Sequence, residues 1–181
     1  MPADLLARKI GRHFDLFDTN GDGRISQEDF DLVVARLARE FDQTPQSPKY
    51  QALSKAYREV WEAMRDGMDT DGDGSISREE YVAALRSDAQ SDPAYWQLIL
   101  PAAKAVVDLC DINGDGRLDQ AELAKAHIGL GMVHEDHETA MARIDHDGDG
   151  YISVEELAVA IEEFFRSQSE DASGNWLFGK Y

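Results

Sequence analysis

Asp69-Thr70-Asp71-Gly72-Asp73-Gly74-Ser75-Ile76-Ser77-Arg78-Glu79-Glu80 is the stretch that decides how this chain folds. Within 12 residues it sets carboxylates at places 1, 3 and 5, a glycine at place 6, an apolar residue at place 8 and a carboxylate at place 12. The pattern returns at Asp18 to Asp29, Asp111 to Glu122 and Asp145 to Glu156. One such stretch arises by chance, whereas four in register do not. The spacing is that of a calcium loop, because a hard cation that takes about six to eight oxygen ligands needs many oxygens around one point. Side chains at places 1, 3 and 5, the main-chain carbonyl at place 7 and a two-oxygen carboxylate at place 12 supply them.

The candidate ligands follow loop by loop. Loop one offers Asp18, Asn20, Asp22, the Arg24 carbonyl and Asp29; loop two offers Asp69, Asp71, Asp73, the Ser75 carbonyl and Glu80. Loop three offers Asp111, Asn113, Asp115, the Arg117 carbonyl and Glu122; loop four offers Asp145, Asp147, Asp149, the Tyr151 carbonyl and Glu156. Place 9 is Ser26, Ser77, Asp119 or Ser153, suited to a water-bridged contact. Loop one departs from the rest, since Asp29 is one methylene shorter than Glu. It must contract to reach an ion with both oxygens, and a one-oxygen contact suits the smaller, octahedral magnesium ion comparatively better. Up to four calcium ions are expected, with magnesium admitted at loop 18–29. Glu28, at place 11, should point away from the loop.

Apolar residues at helical spacing flank every loop: Leu6, Ile10, Phe14 and Phe17 before loop one, Phe30, Val33, Val34, Leu37 and Phe41 after it. Tyr57, Trp61, Met64 and Met68 precede loop two, while Tyr81, Val82 and Leu85 follow it. Val106, Val107 and Cys110 lead into loop three, and Leu157, Ile161, Phe164 and Phe165 leave loop four. Helix–loop–helix on all four calcium loops is the EF-hand arrangement. Ile25, Ile76, Leu118 and Ile152 at place 8 suit short strands joining loops in pairs, one with two and three with four. The expected fold is all-α: four helix–loop–helix units in two pairs forming one compact globule. The halves are residues 1–90, with loops 18–29 and 69–80, and residues 91–181, with loops 111–122 and 145–156. Pro101 should kink or divide the helix before loop three. The Trp176-Leu177-Phe178-Gly179-Lys180-Tyr181 tail (176–181) is too aromatic for free solvation and should fold back into a groove between the halves.

The formal charge is −18, and 15 of the carboxylates stand at ligand places. Acidity on this scale argues against nucleic acid and anionic membrane surfaces as partners. There is no long apolar segment and no signal-peptide pattern at Met1-Pro2-Ala3, so a cytoplasmic protein is the simplest reading. Cys110 is the sole cysteine and reads as a buried thiol. No hydrolytic or transfer chemistry stands out, so no enzyme is expected. The histidines of His134-Glu135-Asp136-His137-Glu138 are three apart, where the zinc-protease motif needs four. His146 should point outward from loop four, and His13 and His127 read as packing residues.

Loop starts lie 51, 42 and 34 residues apart, unlike a chain of uniform repeats. The four loops, the long first linker, the apolar tail, Asp29 at place 12 and the Leu100-Pro101 run into Cys110-Asp111 resemble the calerythrin and sarcoplasmic calcium-binding protein family. That resemblance implies two EF-hand pairs packed face to face and a role in buffering or transporting intracellular calcium. Such members often carry a degenerate loop, frequently the second, yet Asp69 to Glu80 is intact here. The alternative is a calcium sensor that exposes an apolar groove to a protein partner. A tail that covers its own groove and a modest methionine count favour a monomeric buffer. Photoproteins and luciferin-binding proteins share the four-hand architecture, and Trp61, Trp96 and Trp176 are candidates to line a cavity. The terminal Lys180-Tyr181 lacks the photoprotein's final proline.

Overall fold

A computed structural model describes residues 5–86, 93–132 and 136–179. The break at 86–92 and the histidine of residue 134 therefore lie largely outside the described residues, as do Lys180 and Tyr181. Hand one is α1 (Leu5–Phe17), the first loop and α2 (Gln27–Glu40); hand two is α3 (Pro48–Met68), the second loop and α4 (Arg78–Arg86). Hand three is α5 (Pro93–Cys110), the third loop and α6 (Gln120–Gly129); hand four is α7 (His137–Ile144), the fourth loop and α8 (Val154–Arg166). A 3₁₀ turn at Ser173–Trp176 follows. Ser47 caps α3 by accepting from the Tyr50 amide, with Pro48 at the first helical position, where a missing N–H costs nothing.

The loops join as their place-8 residues predict. β1 (Arg24–Ile25) pairs antiparallel with β2 (Ile76–Ser77), setting Ile25 opposite Ile76. Leu118 and Ile152 form the matching bridge, exchanging N–H···O bonds of 2.9 and 2.8 Å. All four of these side chains are at most 1% exposed.

The pairs interlock: α3 packs on α5, α2 on α6, and α8 on both α5 and α1. One core cluster accordingly joins Val34, Leu37 and Leu53 to Val107, Leu123 and Ile144; the other joins Ile10, Phe14 and Trp61 to Phe164 and Phe165. At the α2–α6 crossing a Cβ on Gly129 would lie 3.0 Å from the Leu37 Cα, so glycine is what allows the close approach. Pro101 does not divide its helix, which runs unbroken from Pro93 to Cys110.

The tail is docked. Leu177 is 5% exposed, and Phe178 packs against both clusters, its ring edge-on to Phe164 at 4.8 Å and to His13 at 4.7 Å. Lys9, wholly buried in α1, reaches over to the end of α8 and the tail. Its ammonium donates to the Glu163 carbonyl (3.2 Å), the Ser167 carbonyl (2.8 Å) and Asn175 Oδ1 (2.9 Å). A buried charge is tolerable when all its donors are used; burial pulls this amine down to about 8, against the pull of Glu163. Beneath Leu177 and Phe178 lies an apolar cavity of about 120 Å³, bordered by His13, Tyr57, Tyr81 and Ile161.

Candidate metal centres

Each loop is folded by its own side chains. The place-1 carboxylate accepts main-chain N–H groups from places 4 to 6: Asp69 from Gly72 (2.7 Å) and Gly74 (2.9 Å), Asp111 from Gly114 (2.6 Å) and Gly116 (2.8 Å), Asp145 from Gly148 (2.7 Å) and Gly150 (2.8 Å). Asp18 does the same with Asp22 (3.0 Å) and Gly23 (2.9 Å). The turn this requires puts the glycine of place 6 at φ between 81° and 87°, a conformation a side chain would oppose. Place 5 in turn accepts from the amide of place 7: Asp22 from Arg24, Asp73 from Ser75, Asp115 from Arg117 and Asp149 from Tyr151, all at 2.9–3.0 Å.

These bonds gather the donors. Asp69, Asp71 and Asp73 bring carboxylate oxygens within 4.8 Å of one another, and Asp145, Asp147 and Asp149 do likewise. In loops one and three an amide stands at place 3, and Asn20 and Asn113 accept from the amides of Asp22 (2.9 Å) and Asp115 (2.8 Å). Unpaired clusters of carboxylates repel, so an oxygen-rich ring of this kind suits a hard divalent cation.

The place-12 carboxylate straddles its loop. Glu80 accepts from the Thr70 amide (2.8 Å) with one oxygen and from the Ser77 amide (2.9 Å) with the other; Glu156 does so with His146 and Ser153 (2.9 Å each), and Glu122 with Ile112 (2.8 Å) and Asp119 (2.9 Å). Hydrogen bonds from Ser77 and Thr70 hold Glu80 down at about 2, so it is ionised at any ordinary pH. Around Asp111 and Glu156 burial works the other way but is outweighed by amide donors, and both also lie below the usual carboxylate range.

Asp29 spans the same gap despite its length, accepting from Thr19 (3.0 Å) and Asn20 (3.2 Å) on one oxygen and from the Ser26 amide (2.9 Å) on the other. It is completely buried, as Glu122 of loop three nearly is, while Glu80 and Glu156 are partly exposed. Glu28 is exposed, as its place predicts. Asp29→Glu is expected to raise the calcium-over-magnesium preference of this loop about tenfold, roughly 1.4 kcal/mol. Competitive titration calorimetry checks it, and an unchanged ratio would refute the contracted-loop argument.

Two side chains that sequence reasoning used only for their carbonyls prove to cross between loops. Arg24 bridges to Asp73 and, at 2.7 Å, to the Ser75 hydroxyl; Arg117 reaches Asp149 at 2.7 Å and lies 4.0 Å over the Tyr151 ring. In both pairs an arginine at place 7 of one loop holds the place-5 carboxylate of its partner. The repetition of arginine at place 7 in loops one and three was the available signal. His146 is exposed, as expected, but its ring also meets Ser173 Oγ of the tail at 3.2 Å. Cys110 is fully buried, and burial raises its thiol.

Among the described residues no helix is long and apolar enough to cross a membrane. The sequence matches the EF-hand domain pair family over residues 7–86 and again over 102–162. It is 24% identical to calerythrin of Saccharopolyspora erythraea over 91% of this chain and 94% of that protein. The calcium-binding protein of Streptomyces coelicolor superposes with a TM-score of 0.79 at 31% identity, covering 88% of this chain and 97% of the other. A sarcoplasmic calcium-binding protein from amphioxus gives 0.74 at 21% identity over 99% and 98% of the two chains, a likeness of fold. Four helix–loop–helix units joined two by two through their loops, matched across both halves, make this chain a member of the EF-hand family.

Proposed function

We propose that this protein is an intracellular calcium buffer or transporter, working in the cytoplasm as a monomer without catalytic activity. Calcium enters up to four loops through the side chains and place-7 carbonyls named above, with magnesium competing best at loop 18–29. The two halves, 1–90 and 91–181, act as one binding unit. Calcium at the loops is supported by the straddling place-12 carboxylates and gathered oxygens, by the EF-hand family, and by its calcium-binding relatives.

The buffer reading rests on one observation: the groove that a sensor would present to a target is filled by the chain's own Leu177 and Phe178. A sensor must expose apolar surface when it binds calcium. Here the tail is held by Lys9, by Glu163, which accepts from Ser173 Oγ (2.5 Å) and the Gly174 amide (3.1 Å), and by burial. The second reading, a regulator that opens to a protein partner, is favoured by the Streptomyces neighbour, described in terms of calcium-mediated regulation.

Fluorescence of an apolar-surface dye in millimolar magnesium separates the two. Saturating calcium should leave the signal flat or lower it. A large calcium-induced rise that a target peptide suppresses would overturn the buffer reading and establish the regulator.

A further inference from the structure

Away from the loops, two histidines meet where hand three passes to hand four. His127 lies in the last turn of α6 and His137 is the first residue of α7. Their Nδ1 atoms are 3.0 Å apart, with the rings tilted by 39°. His127 is 2% exposed and its Nε2 has no hydrogen-bond partner, while His137 is half-buried. Burial first, and then His137, push His127 down to about 4, so its ring is uncharged at neutral pH.

The two imidazoles face each other through Nδ1 in one of two ways. One ring carries a proton there and donates it, or both direct lone pairs at a shared cation. We propose that His127 and His137 form a two-imidazole site for a divalent transition cation with a tetragonal shell, copper(II) or nickel(II), separate from the four acidic loops.

The spacing favours a cis pair of ligands. Metal–imidazole bonds of about 2.0–2.1 Å that span 3.0 Å enclose an angle of about 94°. That is the cis angle of a square-planar or octahedral shell, the arrangement of Cu(II) and Ni(II). A tetrahedral zinc would hold the nitrogens roughly 3.3 Å apart. Calcium and magnesium, which take oxygen, do not compete for nitrogen.

Binding moves the shared proton from Nδ1 to Nε2 of the ring that carried it, with no net loss. A metal-bound histidine usually gives its other N–H to a nearby oxygen acceptor. On His127 the main chain of Leu177 is the neighbour that favours a proton on the ring, although no hydrogen bond to Nε2 is formed. The C-terminal end of α6 favours a cation at His127; the N-terminal end of α7 opposes one at His137, offset by the carboxylates of Asp136 and Glu138 on either side. Water completes the shell.

Copper(II) added to the calcium-saturated protein provides the test, read by equilibrium dialysis and pulsed electron paramagnetic resonance. One copper per chain is expected, with two imidazoles in its equatorial plane. In His137→Gln, a half-buried position whose change leaves the core intact, copper affinity should fall at least tenfold and the two-imidazole signature should vanish. Unchanged calcium stoichiometry and helical circular dichroism would show that the variant is folded. His127→Gln should give the same loss. Equal affinity and imidazole count in the His137 variant would overturn the proposal, as would failure of the wild-type protein to retain copper, which would leave an ordinary histidine–histidine hydrogen bond.

Discussion

Gly174→Ala is expected to release the tail. A Cβ at this position would stand 2.2 Å from the Ala160 carbonyl oxygen, 2.5 Å from the Phe164 nitrogen and 2.9 Å from the Glu163 Cβ. Two of these three atoms belong to the backbone of α8, which cannot turn aside as a flexible side chain does. The strain is relieved only by lifting the Ser173–Trp176 turn off the helix. That motion breaks the Glu163 bonds to Ser173 and Gly174, takes Asn175 from Lys9, and draws Leu177 and Phe178 from the core. Overpacking a tight site costs about 1–3 kcal/mol. A direct backbone conflict with loss of a buried leucine places this variant at the top of that span, a fall in Tm of about 6–12 °C for a chain of this size. Calcium-saturated Gly174→Ala should also bind an apolar-surface dye that the wild type excludes. Ser173→Ala, which removes hydroxyl contacts but adds no atom, should melt much closer to wild type. A Gly174→Ala protein that melts like the wild type and stays dark to the dye would show that the tail does not seat against α8.

How much of this the sequence discloses depends on whether a contact is written in one segment or divided between two. A loop is local: spacing of carboxylates, glycine at place 6 and the apolar place 8 lie within a dozen residues, and the Ile25–Ile76 and Leu118–Ile152 pairings follow from them. The same holds for Asp29, which spans its loop as the place-12 glutamates do. Tertiary partners are not local. Lys9 is one charge within an amphipathic helix, and the end of α8 and the tail, far off in sequence, supply the acceptors that make it a buried anchor. His127 is buried, as its apolar neighbours imply, but its partner His137 arrives from another helix. Pro101 does not divide its helix: it is carried inside an unbroken α5, and that helix packs between α3 and α8. Propensity yields where packing on two faces outweighs one lost hydrogen bond.

Removing metal should have a larger effect than any single substitution. Fifteen ligand-place carboxylates occupy four small loops of a chain with a formal charge of −18, and four divalent ions would bring that charge to −10. Without the ions these groups face one another, relieved by the loop amides and hydroxyls and by Arg24 and Arg117. Each site filled at about 100 times its dissociation constant adds about 2.7 kcal/mol. Three or four sites therefore add roughly 8–11 kcal/mol, as much as the whole stability of an ordinary domain. At about 2–4 °C per kcal/mol, a strong chelator should lower the Tm by about 16–44 °C, and most at low salt, where repulsion is least screened. The loss should spread to the tail, because loop four holds Ser173 through His146, and α8 carries both Glu156 at its start and the Gly174 seat further on. Thermal melts followed by circular dichroism in chelator, magnesium and calcium read this directly. Magnesium should recover part of the lost stability and calcium all of it. Equal melting temperatures in chelator and calcium would mean that the carboxylate rings are held by the protein alone, and the claim that bound metal supplies much of the chain's stability would fail.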